Sequence, residues 1–137
     1  MKLSSKARYG LRAMCYMAEN YNKGSLSLTL ISQSIGVSEK YLEQLLSSLR
    51  KAQLVGATRG VNGGYFLEKA PTDISVGEIL RVLEDGLVIV DCLTGNCSNL
   101  CGHTSKCDCN TYDVWNKLYM AINGCLDSMS LASIIAK

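Results

Sequence analysis

The strongest constraint on the fold is a pair of short helical patterns separated by a single glycine, Gly36. Ser27 is available as the N-cap of the first helix, which covers residues 28 to 35. Gly36 suits the left-handed position that ends a helix, and Ser38 then caps a second helix that runs to about Lys51. The apolar stripe of this second helix consists of Leu42, Leu45, Leu46 and Leu49. Two short helices across a glycine turn predict a helix-turn-helix.

The residues that follow predict a short β-hairpin with a glycine-rich tip. Residues 54 to 57 and residues 65 to 67 have the pattern of two short strands. The tip between them contains Arg59, Gly60, Asn62, Gly63 and Gly64. Asn-Gly and Gly-Gly steps adopt positive φ at little cost, which favours a tight turn. A helix-turn-helix followed by such a hairpin is a winged helix, so we expect a mainly α fold with a small β wing.

Charge is divided unevenly along the chain of 137 residues. Residues 1 to 70 carry a net charge of +6, whereas residues 71 to 137 carry a net charge of −4. An amphipathic first helix over residues 5 to 20 adds Lys6, Arg8 and Arg12 to the basic half. A basic winged helix suits DNA, because its second helix can enter the major groove while Arg59 on the wing enters the minor groove. The alternative is a winged helix that binds only protein.

The acidic half begins with a helix that we interpret as a structural connector. Ser75 and Glu78 form a capping box at its start, and Gly86 is placed to end it. Its apolar face consists of Val76, Ile79, Leu80 and Leu83. With 47% hydrophobic residues, the chain is long enough for one core, and we expect a single globular domain.

A second helical pattern covers about residues 111 to 128. Its apolar residues are Val114, Trp115, Leu118, Ala121, Ile122, Cys125 and Leu126. A small winged-helix domain has little core left to accept this stripe, and a two-fold DNA site favours a two-fold protein. We therefore predict a long C-terminal dimerisation helix and a homodimer.

Between these two helices, residues 90 to 109 contain five of the seven cysteines and the only histidine. The start of the chain lacks an unbroken apolar segment like that of a secretory signal, and no stretch is apolar enough to cross a bilayer, so we expect a cytoplasmic protein without a membrane partner. In a reducing cytosol, clustered thiols more often bind metal or perform redox chemistry than form disulfides. Thiolates bind zinc, copper(I) or the iron of iron–sulfur clusters. No paired two-residue spacings occur, which weakens the interpretation as a structural zinc site.

Three stretches, MKLSSKARYGLRAM, SEKYLEQLLSSLRKAQLV and RGVNGGYFL, resemble the signature segments of the Rrf-two-type bacterial transcription regulators. The resemblance runs in register from Met1 to the tail LDSMSLASII. It implies a dimeric winged-helix regulator and, in many members, an iron–sulfur cluster in the loop before the dimerisation helix. The implied recognition-helix residues are Ser38, Lys40, Tyr41, Glu43 and Gln44, and the implied wing residues are Arg59 and Gly60. Lys6, Arg8 and Arg50 complete the predicted DNA-binding set.

The same resemblance implies three cysteine ligands. Cys92 stands in the usual context of the first ligand, and Cys101 follows as the second. The third is either Cys107, six positions after Cys101, or Cys109, six positions before Trp115. The histidine that some relatives have three residues after the last cysteine is missing here, so His103 or a spare cysteine such as Cys97 is the candidate fourth ligand. The cluster type stays open, with [2Fe–2S] favoured over [4Fe–4S].

These observations predict four segments and one leading function. The segments are a DNA-binding region (1–70), a connector (71–89), a cluster-binding loop (90–110) and a dimerisation helix with its tail (111–137). The leading hypothesis is a non-enzymatic DNA-binding regulator that senses iron–sulfur status, oxygen or nitric oxide. One alternative is a cluster-free regulator that uses thiol redox chemistry or a partner protein as its signal. A cysteine-dependent redox enzyme is a remote alternative, because no nucleophile–base pair or redox CxxC is present. Cys15 and Cys125 are interpreted as core packing.

Overall fold

The structure is a computed structural model that describes residues 2–95 and 109–136. The described residues are mainly helical and include one antiparallel hairpin, which confirms the expected fold class. The helices are α1 (Ser5–Glu19), α2 (Leu28–Ile35), α3 (Glu39–Lys51), α4 (Val76–Leu83), α5 (Tyr112–Asp127) and α6 (Leu131–Ile135). The strands are β1 (Val55–Thr58) and β2 (Gly64–Leu67), and short 3-10 turns cover Pro71–Asp73 and Asp91–Thr94.

Serine caps and one glycine produce the helix-turn-helix as the sequence predicts. The Ser27 hydroxyl accepts a hydrogen bond from the Leu30 backbone N–H at 3.1 Å, which starts α2. Gly36 ends α2 with a φ of 74°, a conformation that glycine adopts without the strain other residues meet. The Ser38 hydroxyl then accepts from the Tyr41 backbone N–H at 3.2 Å and starts α3. Local chemistry therefore fixes the start of α2 at Ser27 and the two ends of the turn at Gly36 and Ser38.

The wing differs from the predicted strand bounds by one residue, because β1 is shifted by one position and β2 begins one residue earlier. The Leu54 backbone N–H donates to the Leu49 carbonyl at 3.0 Å, so Leu54 closes the end of α3 and the ladder begins at Val55. The other end of the ladder pairs Thr58 with Gly64. The hairpin is also joined to the segment before α2, because the backbones of Leu26 and Tyr65 exchange two hydrogen bonds of 2.7 and 2.8 Å.

The hydrophobic core corrects the interpretation of α4 as a structural connector. The completely or nearly completely buried side chains instead include residues from both halves of the chain: Met14, Ile31, Leu42, Leu46, Leu49, Ile74, Ile79 and Leu131. α4 packs closely on α1, since a Cβ at Gly10 would collide with the Leu83 side chain. The capping box predicted at Ser75 and Glu78 is present and starts α4.

The C-terminal tail returns to this core. The Val76 backbone N–H donates to the Met129 carbonyl at 2.8 Å, and the Leu131 N–H donates to the Ile74 carbonyl at 3.0 Å. Leu131 then enters the core with no exposed surface, and α6 packs against α1. The physical reason is that the winged helix alone leaves apolar surface on α1 that α4 and α6 cover. Within the described residues, no helix is both long and apolar enough to span a membrane.

We predict that Leu131→Ala will lower the free energy of unfolding by about 2–5 kcal/mol, because it leaves a cavity in a packed core. Urea denaturation at one fixed protein concentration measures the change. Leu30→Ala is the matched control, since Leu30 lies on α2 with 44% of its surface exposed. An equal loss in the two variants would mean that the tail is not part of the core.

Candidate functional site

The second helix of the helix-turn-helix, α3, has a polar exposed face on the side opposite its buried leucines. Leu42, Leu45, Leu46 and Leu49 are buried. Five of the predicted DNA-binding residues are exposed on this helix or at its N-cap: Ser38, Lys40, Glu43, Gln44 and Arg50. The Ser38 oxygen is engaged as the N-cap, which leaves its hydroxyl hydrogen available as a donor. The exposed face of α3 can therefore offer donors, acceptors and cations to the edges of bases and to phosphates.

Tyr41 differs from the other predicted recognition residues. Its side chain is half-buried and packs against the hydrophobic core. Its ring lies 6.1 Å from the ring of Tyr9 on α1, with the two planes at 88° to one another. This contact joins the first turn of α3 to α1. No local sequence pattern predicts it, because it depends on how the two helices cross.

The tip of the wing is exposed to solvent at residues 59–62. Arg59 and Gly60 are exposed, and Gly60 has a φ of 107° that turns the chain at the tip. The base of the tip loop, at the far end of the ladder from α3, is held by hydrogen bonds, since the Thr58 hydroxyl lies 3.0 Å from that of Ser25 and accepts from the Gly64 N–H at 3.3 Å. A braced base with an exposed arginine suits insertion into a narrow groove.

The N-terminus of α1 adds cations to the same half of the molecule. Lys6 and Arg8 are exposed, as predicted. Ser4 caps the helix, and its backbone N–H and hydroxyl both donate to the Glu84 carboxylate, at 2.7 and 2.6 Å. Glu84 is the residue that ends α4. The start of α1 is thus attached to the end of α4, a link between residues 80 positions apart that local sequence patterns do not reveal.

Two of the predicted cysteine ligands lie in the described part of the chain. Cys92 belongs to the Asp91–Thr94 turn, which contacts α5, and Cys109 lies just before α5. Both are partly exposed free thiols. Cys101 and Cys107, with the spare candidates Cys97 and His103, lie outside the described residues. Within residues 2–95 and 109–136, no three potential metal ligands come together.

The environment of Cys109 favours its thiolate. The Thr111 hydroxyl lies 3.3 Å from the sulfur, and this hydrogen bond lowers the pKa of the Cys109 thiol. The backbone N–H groups of Thr111 and Tyr112, at the start of α5, lower this pKa further. Thiolate is the form that binds metals and reacts with oxidants, so Cys109 is chemically suited to either role.

The two cysteines outside the loop have different environments. Cys15 is half-buried against the core, and burial, together with the charge of Glu19, raises the pKa of its thiol. Cys125 is exposed on α5, so its interpretation as core packing is wrong for the monomer. The apolar pattern around Cys125 belongs to a helix that leaves much of its apolar surface uncovered.

α5 has no fully buried residue, although much of it is apolar. Four of its large hydrophobic side chains are exposed: Val114, Trp115, Leu118 and Met120. The body of the molecule contacts only part of the helix, where Leu126 packs near α4 and the Arg81 guanidinium binds Asp127 and Asn123. A shallow apolar cavity of about 360 Å³ lies between α5 and the segment before Cys92, lined by Ile89, Val90, Trp115, Leu118 and Ile122.

The exposed polar face of α3, a wing with an exposed arginine and an uncovered apolar helix are features of a winged-helix transcription regulator. Comparison with known proteins identifies the family, because residues 3–137 match the family model described as "Rrf2: Iron-dependent Transcriptional regulator". The chain belongs to this Rrf2 family, which confirms the Rrf-two-type resemblance. Its matched relatives are transcription regulators rather than enzymes, as expected.

Two proteins of this family illustrate the similarity. The chain is 38% identical to the HTH-type transcriptional regulator CymR of Bacillus subtilis strain 168, over 98% of this chain and 89% of that one. The solved structure of CymR, the global cysteine regulator of B. subtilis, matches with a TM-score of 0.81 and 35% identity, over 99% of this chain and 97% of that one. The structure of T. potens IscR matches with a TM-score of 0.75 and 39% identity, over 99% of this chain and 87% of that one.

We predict that Arg59→Ala will weaken specific DNA binding by about 1–3 kcal/mol and change the preference at A·T-rich positions, because an arginine in a minor groove reads its width. Lys6→Ala is the control, since a contact with a phosphate should weaken binding to all sequences alike. Fluorescence anisotropy with specific and shuffled duplexes measures both effects. Equal, sequence-independent losses in the two variants would contradict the role assigned to the wing.

Proposed function

We propose that this chain is a cytoplasmic, homodimeric regulator that binds double-stranded DNA and senses iron–sulfur supply, oxygen or nitric oxide through a cysteine-bound iron–sulfur cluster. One observation carries the proposal: the accessible thiols Cys92 and Cys109 stand at the two ends of the cysteine-rich segment, directly before the helix whose apolar face is uncovered. A signal received at these thiols can therefore act on a surface suited to subunit association.

The donor set fits such a cluster. Thiolate sulfur is the usual protein ligand of iron–sulfur iron, and hydrogen bonding favours the thiolate of Cys109. Cys92 and Cys101 would each supply one thiolate, and Cys107 or Cys109 would supply a third. Cys97, His103 or the remaining cysteine would supply the fourth ligand, and [2Fe–2S] is the favoured type. When bound, such a cluster provides a group whose oxidation or loss reports on oxygen, nitric oxide or iron–sulfur supply.

The chain supplies a route from these thiols to the DNA-binding surface. The turn that contains Cys92 contacts α5, and α5 is bound to α4 through Arg81 and Asp127. α4 is bound in turn to the start of α1 through Glu84 and Ser4. Each link is a contact between elements with defined positions, so a change at the cysteine-rich segment can alter the orientation of the basic surface.

The uncovered face of α5 supports the homodimer. Exposed contiguous apolar surface on a small protein indicates an interaction site, and a two-fold dimer places two recognition helices on two half-sites. A dimer formed through α5 would cover side chains that the monomer leaves in water, such as Leu118 with 46% of its surface exposed. In such a dimer, α5 would join the two subunits and each α3 would contact one half-site.

We predict that Ile122→Glu will produce monomers or force the new carboxylate to be protonated, because an unpaired charge is costly to bury in an apolar interface. DNA affinity should fall with it, since a single half-site is held weakly. Multi-angle light scattering at micromolar concentration measures the mass. Lys117→Glu is the control, because Lys117 is an exposed residue of the same helix that belongs neither to the predicted stripe nor to the uncovered apolar surface. A dimeric Ile122→Glu protein would mean that the interface lies elsewhere.

We predict that Cys92→Ala and Cys101→Ala will each abolish or strongly destabilise the cluster, because each removes a thiolate with no substitute in the same place. Cys107→Ala and Cys109→Ala should have unequal effects, since only one of the two need be the third ligand. Iron and sulfide analysis of protein prepared without oxygen measures the cluster content, and visible absorbance confirms it.

Cys15→Ala and Cys125→Ala are the matched controls and should leave the iron content unchanged. Wild-type protein that contains no iron or sulfide after anaerobic reconstitution would contradict the proposed cluster. A full cluster in both Cys92→Ala and Cys101→Ala would contradict the proposed ligands.

A second candidate function is a cluster-free regulator that responds through its thiols or through a partner protein. The lowered pKa of Cys109 favours it, because thiolates react with oxidants and with disulfides. The similarity to CymR, which is described as a global cysteine regulator, also supports this second function. A colourless anaerobic protein whose DNA affinity changes on mild oxidation, and recovers on reduction, would favour this function over the first.

A further inference from the structure

Two tyrosines and two arginines form a cluster between α1 and the start of the recognition helix. The Tyr9 ring on α1 lies perpendicular to the Tyr41 ring on α3, with 6.1 Å between the ring centres. The guanidinium carbons of Arg8 and Arg12 lie 5.9 and 5.6 Å from the centre of the Tyr9 ring. Perpendicular aromatic rings and cations near a ring face are both attractive arrangements. One ring therefore organises a residue of the recognition helix and two cations of α1.

The position of Tyr41 makes this contact important for reading DNA. Tyr41 lies in the first turn of α3, and its backbone N–H donates to the N-cap Ser38. The exposed residues Lys40, Glu43 and Gln44 surround it in sequence on the same helix. A change in the packing of Tyr41 would thus turn or shift the end of the helix that bears these side chains. Base-specific hydrogen bonds depend on such small displacements.

We propose that Tyr9 is a positioning residue for sequence recognition, and that Arg12 is an additional phosphate-binding residue held in place by the same ring. Tyr9 acts through Tyr41, so its effect is on the discrimination between sequences. Arg12 is exposed and acts on the backbone of any duplex, because a phosphate contact carries no sequence information. This inference rests on the DNA-binding part of the proposed function and adds two residues to it.

The role of Tyr9 is tested by comparing Tyr9→Leu, Tyr9→Met and Tyr9→Phe with the wild-type full chain. Each protein is titrated by fluorescence anisotropy with the duplex that the wild type selects from a random pool and with a shuffled duplex. Tyr9→Leu and Tyr9→Met should lower the ratio of the two affinities about three- to tenfold. Tyr9→Phe should retain the ratio, because it keeps the ring. Tyr16→Leu, a partly buried tyrosine of the same helix, is the control and should leave the ratio unchanged.

A double-mutant cycle separates positioning from a general loss of stability. If Tyr9 acts through Tyr41, the double variant Tyr9→Leu/Tyr41→Leu should lose no more discrimination than Tyr41→Leu alone. The proposal would be overturned if the double variant lost discrimination by the product of the two factors lost in the single variants. A Tyr9→Leu protein that binds both duplexes more weakly by the same factor would also overturn it. The Tyr9→Met variant, which keeps a large apolar side chain, provides the same test if Tyr9→Leu does not fold.

Arg12→Gln should weaken binding to both duplexes equally, and should lower the steepness of the salt dependence by about one unit on a logarithmic plot. An unchanged salt dependence would overturn the role of Arg12. If the wild type selects no preferred duplex from the pool, the DNA-binding function itself is contradicted. A wild type that selects a duplex, with Tyr9→Leu equally selective, contradicts only the inference about Tyr9.

Discussion

The burial of Leu131 is the interaction on which the rest of the structure depends. This residue lies near the end of the chain, but it packs in the core with Met14 of α1 and Ile79 of α4. Because it is completely buried, it fixes the tail against the winged helix and so fixes the end of α5 that precedes it. The backbone bonds at Ile74 and Val76 hold the same junction. The DNA-binding region and the long helix are therefore parts of one folding unit.

This arrangement gives α5 two ends with different attachments. Its C-terminal end is tied to the body by Asp127, which binds Arg81, and by the buried residue that follows in α6. Its N-terminal end follows Cys109 and rests on the short turn that contains Cys92. The attachment at the C-terminal end is a buried, hydrogen-bonded junction, whereas the contact at the N-terminal end is with a short turn of partly exposed residues. The same helix carries the apolar surface proposed for the second subunit.

Local chemistry made much of the fold predictable. The caps at Ser27, Ser38 and Ser75 and the left-handed Gly36 act within a few residues of their own positions, so the sequence pattern is sufficient to find them. The pattern also identified the buried face of α4, but not that this face and Leu131 of the tail pack against α1, because that contact joins residues distant in sequence. The same is true of the Tyr9 and Tyr41 contact and of the Glu84 bond to Ser4. The ligand set of the cysteine segment stays a prediction, because three of its candidate cysteines lie outside the described residues.

The close approach of α1 and α4 at Gly10 has a consequence for how this architecture can diverge. No side chain fits there without moving Leu83, because even a methyl group would occupy its space. α4 carries α5 through Arg81, so a shift of α4 would be passed to the helix proposed to join two subunits. A methyl group at position 10 would, however, meet the end of the Leu83 side chain first, and Leu83 is itself buried in the contact between α1 and α4. Divergence at position 10 is thus coupled to divergence at position 83, because the two residues share one space.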